Sequence, residues 1–239
     1  MRFSLIALVV LKVNSSYTEF EEVIMLKRVV TRMFTKSDFE IFDEPTLPGR
    51  MNLIKTVIDP KFEAITPTVL ATLATASGDD AVFYPHIAKH LRRFKNPPVD
   101  TWVAFSENKR SYKALPHFEL GFWPERLFIY FDILDESKAS VQAGVTAEQL
   151  ATALAKLPSD YLISNDHSSA KMNPATAANI AAAVKKFGQY KHSELVLGRA
   201  IEPDSDLLRD EAAQHAYINE TFTTLMPIYQ ALTKHLALH

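Results

Sequence analysis

Between His117 and Leu134 apolar and polar residues alternate over two runs, separated only by Pro124-Glu125. Phe118, Leu120 and Phe122 fall on one side of the first run, with His117, Glu119 and Trp123 on the other. Leu127, Ile129, Phe131 and Ile133 share one side of the second, opposite Arg126, Phe128, Tyr130 and Asp132. Side chains of a strand point alternately to the two faces of a sheet, so two such runs joined by two residues predict an antiparallel hairpin. One face of that hairpin is wholly apolar and needs helices over it. The other gathers His117, Glu119, Tyr130 and Asp132. Thr101 to Ser106, Tyr161 to Ser164 and Glu194 to Ile201 supply further strands, rich in β-branched and apolar residues.

Helical patterns fill most of the remainder. Thr35 or Ser37 caps a first helix that places Phe39 and Phe42 on one face, and the loop Asp43 to Gly49 follows. Met51, Ile54, Val57 and Ile58 have helical spacing, and Pro67 marks the first turn of a separate helix, Thr68 to Ala76, capped by Thr66. Pro85 to Phe94 reads as a short helix with Ile87, Leu91 and Phe94 as its apolar stripe and His86, His90 and Arg93 on one flank. Thr146 caps a helix to Leu157, with Gln149 completing a capping box. An Ala-rich helix runs from Pro174 or Ala175 to Gly188, and a long one from Leu207 to Leu236 breaks or kinks at Pro227. The fold class is therefore α+β, a two-layer sandwich of a mostly antiparallel sheet with helices packed on it.

Composition removes several functions. The chain of 239 residues has no cysteine, which excludes thiol nucleophiles, disulfides and Cys-ligated zinc or iron–sulfur centres. Six glycines argue against phosphate-cradling loops of the Rossmann or P-loop kind. No apolar run approaches the roughly 20 residues of a membrane span, so no membrane partner is expected. Phe3 to Leu11 is an apolar run after Arg2. It reads either as a signal-peptide core within residues 1–16 or as the product of an upstream start, with Met25 and Met33 as later starts. Residues 1–32 are taken as a peripheral extension, residues 33–239 as one domain, and the protein as cytoplasmic.

One segment departs from the chain's overall charge. From Tyr84 to His117, Lys89, Arg92, Arg93, Lys95, Lys109, Arg110 and Lys113 face only Asp100 and Glu107, in a chain of net charge −2. Trp102, Phe105, Tyr112 and Trp123 lie among or beside these cations. Cations neutralise phosphate or carboxylate while rings offer a stacking surface. The same stretch, together with Phe34-Thr-Lys-Ser-Asp-Phe39, Gly49-Arg-Met and Asp166-His167, resembles the DUF1054 family, also called UPF0637. The resemblance runs from about Met33 to the C-terminus. It implies an α+β two-layer domain in bacteria and implies no reaction or cofactor.

Three functions follow as expectations. The preferred one is a small anionic ligand held by Arg92, Arg93, Lys109, Arg110 and Lys113. His86, His90 and His117 would add hydrogen bonds, and Tyr112, Trp102 or Trp123 would stack. A nucleic-acid strand is the second occupant of such a surface, disfavoured by the lack of global positive charge. The alternative is a hydrolase or transferase using His117, Glu119 and the Asp166-His167 loop, with or without a metal. His86 and His90, four apart, have zinc-ligand spacing on a helix but carry no adjacent general base, so no metal is assigned to them. A protein-interaction face is the last reading, with Phe222, Leu225, Ile228 and Tyr229 more simply explained as core.

Overall fold

The alternating hairpin lies at the centre of a seven-stranded sheet. A computed structural model describes residues 33–78 and 81–236. The expectations for residues 1–32 lie outside the described residues. The strands are β1 (Tyr84–Ile87), β2 (Thr101–Ser106), β3 (His117–Trp123), β4 (Arg126–Ile133), β5 (Leu162–Ser164), β6 (Asn173–Pro174) and β7 (Leu195–Ile201). Their order is β1-β2-β3-β4-β7-β5-β6, and every neighbouring pair is antiparallel. The helices are α1 (Leu47–Leu53), α2 (Asp59–Ser77), α3 (Asp135–Gly144), α4 (Ala147–Leu154), α5 (Ala177–Gln189) and α6 (Glu211–Thr233). A π-helical turn, Ile54–Ile58, joins α1 to α2. The α+β sandwich read from the pattern is the architecture found.

The apolar face of the hairpin is fully covered. Phe118, Leu120, Phe122, Leu127, Ile129, Phe131 and Ile133 are solvent-inaccessible and pack with Phe62, Val69 and Leu73 of α2 and Ile218, Phe222 and Leu225 of α6. Phe34 and Phe39 meet Phe122 edge-on, at ring-centroid distances of 5.2 and 5.0 Å. Truncating one such ring to alanine costs about 3–5 kcal/mol in lost transfer energy and residual cavity. Phe222, Leu225, Ile228 and Tyr229 are all in this core. Among the described residues no helix is long and apolar enough to cross a membrane.

Three local expectations are corrected, and one helix was not foreseen. Pro85 to Phe94 is not a helix: Tyr84–Ile87 pairs with β2, and residues 88–100 form a turn and an extended link. Leu91 and Phe94, its intended apolar stripe, are 77% and 87% exposed. The open edge of β2 gains a partner, and a proline is tolerated on an edge strand, so tertiary pairing overrides the helical spacing. Second, α2 runs without a break from Asp59 to Ser77 with Pro67 inside it. Third, α6 is not broken at Pro227: it runs from Glu211 to Thr233 with that proline inside it. Both prolines are exposed, as are Glu63 and Thr223 four residues earlier, so water reaches the carbonyl oxygen each one frees. Last, α3 had no sequence signal: apart from Val141 its buried side chains are Ser137 and Lys138, so its apolar periodicity is weak.

The polar face of the sheet is the one that matters for chemistry. Trp123, Phe128, Tyr130 and Val196 form a second, smaller apolar cluster there, with Trp102, Ala170 and Met172 against it. Loop segments, rather than helices, border this face, and they leave a cleft.

Candidate functional site

The register of β3 and β4 sets the floor of the cleft. His117 lies opposite Asp132, Glu119 opposite Tyr130 and Gly121 opposite Phe128. Period-two alternation therefore brings one imidazole and two carboxyls onto the same face within one hairpin. A ring nitrogen of His117, one oxygen of Glu119 and one of Asp132 all lie within 4.8 Å of one another. All three residues are buried.

Hydrogen bonding fixes the state of His117. Its Nδ1 lies 3.0 Å from the carbonyl oxygen of Leu115, which can only accept, so Nδ1 carries the proton. Its Nε2 lies 3.1 Å from Glu119 Oε1. Burial lowers the His117 pKa and keeps the ring neutral, so Nε2 is an acceptor. Glu119 supplies the matching proton: burial, with the Asp100 carboxyl adding to it, pushes it up to about 8. Asp132 is raised well above the carboxylate range, first by burial and then by Glu119. The floor thus favours protonated carboxyls, because burial penalises the charged form and two carboxylates in one dry place cannot both ionise. Asp132 Oδ1, the Tyr130 hydroxyl and the Trp102 indole nitrogen are buried and have no hydrogen-bond partner.

The facing wall comes from the turn after β5. Asn165 Nδ2 donates to the carbonyl oxygens of Ala183 (3.1 Å) and Glu194 (2.7 Å), anchoring the turn between α5 and β7. Asp166 Oδ1 accepts from the backbone N–H and hydroxyl of Ser168, at 2.9 and 2.6 Å. Glu194 Oε2 accepts from His167 twice, from its backbone N–H at 2.9 Å and its ring Nδ1 at 2.6 Å. The bond to Glu194 raises the His167 pKa against the opposing effect of burial. Burial would raise Glu194, but the two bonds from His167 outweigh it and hold that carboxylate below its usual range.

The cleft between floor and wall encloses about 160 Å³. Its lining includes Trp102, Tyr112, Trp123, Phe128 and Tyr130, with Arg93, Asp100, Glu119, Asp132, Asp166 and His167 as the titratable groups. Phe128 and Tyr130 stack at 4.6 Å between centroids, 16° from parallel. Gly121 makes room for them: a Cβ there would stand 2.4 Å from the Phe128 ring and 2.6 Å from the Thr101 carbonyl oxygen. Burial raises Asp100 to about 6, although Arg93 and His167 pull the other way.

The basic segment is distributed differently from expectation. Of the nine ligand-binding candidates, Arg93 and Tyr112 line the cleft, and His117 sits beneath its floor. Arg92, Lys109 and Arg110 are exposed and outside the lining, and Lys109 lies over the Tyr84 ring. Lys113 is 3.8 Å from Glu136. His86 bonds the carbonyl oxygen of Asn108 at 3.0 Å. His90 bonds Thr101 Oγ1 at 3.2 Å and meets Trp102 edge-on. His90 has φ of 49°, unusual for a residue with a side chain, within the turn that follows β1. With the helix gone, the four-residue spacing of His86 and His90 no longer puts them on one face. Burial lowers His90 to about 4.

Of the catalytic candidates, Glu119, Asp166 and His167 line one cleft, with His117 bonded to Glu119. Asp132 was legible on the same face but was not singled out. Asp100 and Glu194 were missed. Glu194 reaches His167 only because β7 pairs with β5, a contact between residues 27 apart that no local motif announces.

Residues 34–229 match the family model described as a domain of unknown function, DUF1054. A UPF0637 protein of Lactiplantibacillus plantarum is 59% identical over 83% of this chain and 94% of its own length. A UPF0637 protein of Leuconostoc citreum is 41% identical over 84% of this chain and 99% of its own. One from Staphylococcus aureus is 34% identical over 83% and 98%.

Proposed function

The chain belongs to the DUF1054 (UPF0637) family, and from the chemistry of its cleft we propose that it is a hydrolase or transferase acting on a small molecule with a planar ring and an anionic group. One observation carries this reading. His167 lines the cleft with Nδ1 committed to a buried carboxylate, which leaves Nε2 for a water or a substrate hydroxyl. A base oriented by a third group is the arrangement that general-base chemistry needs. Nε2 takes a proton from the attacking water or hydroxyl as its oxygen bonds to the ester centre. The imidazolium returns that proton to the oxygen of the departing group. Glu194 holds the ring and stabilises its charged form in between.

The substrate class follows from the rest of the lining. Five aromatic side chains favour a flat ring, and such contacts contribute about 1–3 kcal/mol each for a stacked base. Arg93 is the cation in reach of an anionic group, and it comes from the basic segment singled out in the sequence. Anion binding is retained here on one guanidinium rather than on five cations.

The test is a substrate panel on the full chain. It uses p-nitrophenyl phosphate, a p-nitrophenyl phosphodiester, p-nitrophenyl acetate and the nucleoside monophosphates, each with and without added divalent metal. One class should be turned over, and His167→Ala, folded by circular dichroism, should lose about 100-fold or more. Turnover untouched in folded His167→Ala, or none of the panel turned over or bound, overturns the reading.

A further inference from the structure

We propose that His117, Glu119 and Asp132 form a divalent-metal site at the floor of the cleft. This deepens the hydrolase reading, and it relies on that reading for the use of the cation but not for its binding. The three donor atoms lie within 4.8 Å of one another, close enough to cap one face of a single ion. Two come from alternate positions of β3 and the third from the residue directly opposite His117 on β4. The set is therefore carried on two paired central strands, where backbone bonding holds ligands more firmly than a loop does.

The local bonding suits a ligand set. His117 gives its Nδ1 proton to the Leu115 carbonyl oxygen, which turns the lone pair of Nε2 toward the carboxyls. Metal-bound histidines characteristically spend their second nitrogen this way. Asp132, 1% exposed, has Oδ1 buried without a partner among the described residues. A carboxylate oxygen left without a partner inside a cluster of ligand-type side chains points to a cation that fills it. Glu119, Tyr130 and Asp132 all line the cleft, so a cation held there keeps positions open toward a substrate.

The neighbouring cluster of Asp166, His167 and Glu194 is the weaker competitor. His167 Nδ1 is already a donor to Glu194, and Asp166 Oδ1 already accepts two bonds from Ser168. One imidazole with two carboxylates suits Mn²⁺, Fe²⁺ or Zn²⁺, and the two carboxylates balance the ion's charge.

The experiment uses the full chain, stripped with chelator and titrated with MnCl₂ and with ZnCl₂ by calorimetry. One ion should bind per chain. Asp132→Asn, which preserves side-chain volume, should weaken binding at least tenfold, while His167→Ala should bind as the wild type does. A measurement on the wild type alone keeps the proposal testable if the variant does not fold. Bound Mn²⁺ should broaden the indole N–H resonances of both Trp102 and Trp123, which line the cleft. Absence of binding by either metal, or binding with both indole signals left sharp, overturns the site. Metal binding at this site in a protein that neither binds nor turns over any member of the substrate panel would instead refute the hydrolase reading and leave the site standing.

Discussion

Replacing Asp100 with asparagine should stabilise the protein at neutral pH, by an amount that depends on pH in a defined way. Asp100 is set in the cleft lining, and its pKa stands at about 6 against 3.8 for an unburied aspartate, chiefly through burial. A raised carboxyl pKa means that the folded state binds the proton more tightly than the unfolded one. Its cost is absent below the unfolded value, grows as pH rises from about 4 to about 6, and is constant above that. At about 1.4 kcal/mol per unit, a shift of about two units is worth roughly 3 kcal/mol. Asparagine has the same shape and no charge to desolvate. Urea denaturation of both proteins at pH 4, 5, 6 and 7 measures the difference. Asp100→Asn should be about 3 kcal/mol more stable than wild type at pH 7 and only about 0.5 kcal/mol more stable at pH 4, with most of the change appearing below pH 6. A difference that does not vary with pH, or a variant that loses stability as pH rises, would refute the reasoning. A cleft that keeps such a group at this cost trades stability for function.

In Glu194→Gln the His167 ring should titrate at lower pH than in the wild type, where its pKa lies above 6.5, because burial remains and its partner's charge is gone; nitrogen-detected NMR of the imidazole reads this directly. The sign has a counterpart in stability. The His167 contribution is present below pH 6.5 and lost above its folded pKa, while that of Glu194 is present above 4.5 and lost as pH falls through its depressed value, so the pair helps most between these limits. Gly121→Ala should cost about 1–3 kcal/mol by overpacking and should change the near-ultraviolet signal of the tryptophans, because the new methyl meets the Thr101 carbonyl, Trp102 and Phe128; an unchanged melting temperature would contradict the contact. Thr146→Ala removes the hydroxyl that accepts from the Gln149 N–H at 3.2 Å and should cost about 1 kcal/mol in the same assay.

What could be read from residues alone divides along a physical line. The hairpin, its two faces and the Thr146 capping box are local, since each depends on spacings of two to four residues, and they came out as read. The polar face of that hairpin placed His117, Glu119, Tyr130 and Asp132 together before any coordinates. The segment from Pro85 to Phe94 has a helix-like stripe, yet the free edge of β2 takes it as a strand and leaves Leu91 and Phe94 in solvent. Pro67 reads as the start of a separate helix and Pro227 as a break or kink, whereas an exposed residue four back makes a proline inside a continuous helix tolerable. The wall of the cleft was the least legible part. His167 was a candidate by its loop position, but the carboxylate that orients it lies on another strand, and pairing of β5 with β7 is a property of the sheet order. Charge counting along the chain likewise could not foresee that Arg93 enters the cleft while Arg92 beside it does not.

The chain has two tryptophans, and both Trp102 and Trp123 line the cleft. Their indole N–H signals are therefore reporters placed at the site itself. The most direct measurement is a titration of ¹⁵N-labelled full chain with p-nitrophenyl phosphate and the nucleoside monophosphates, followed at those two resonances and at the backbone amides. The account predicts saturable shifts at both indoles, weakened in Arg93→Ala. Saturable shifts among the backbone amides with both indole signals unmoved would place the binding elsewhere and contradict it.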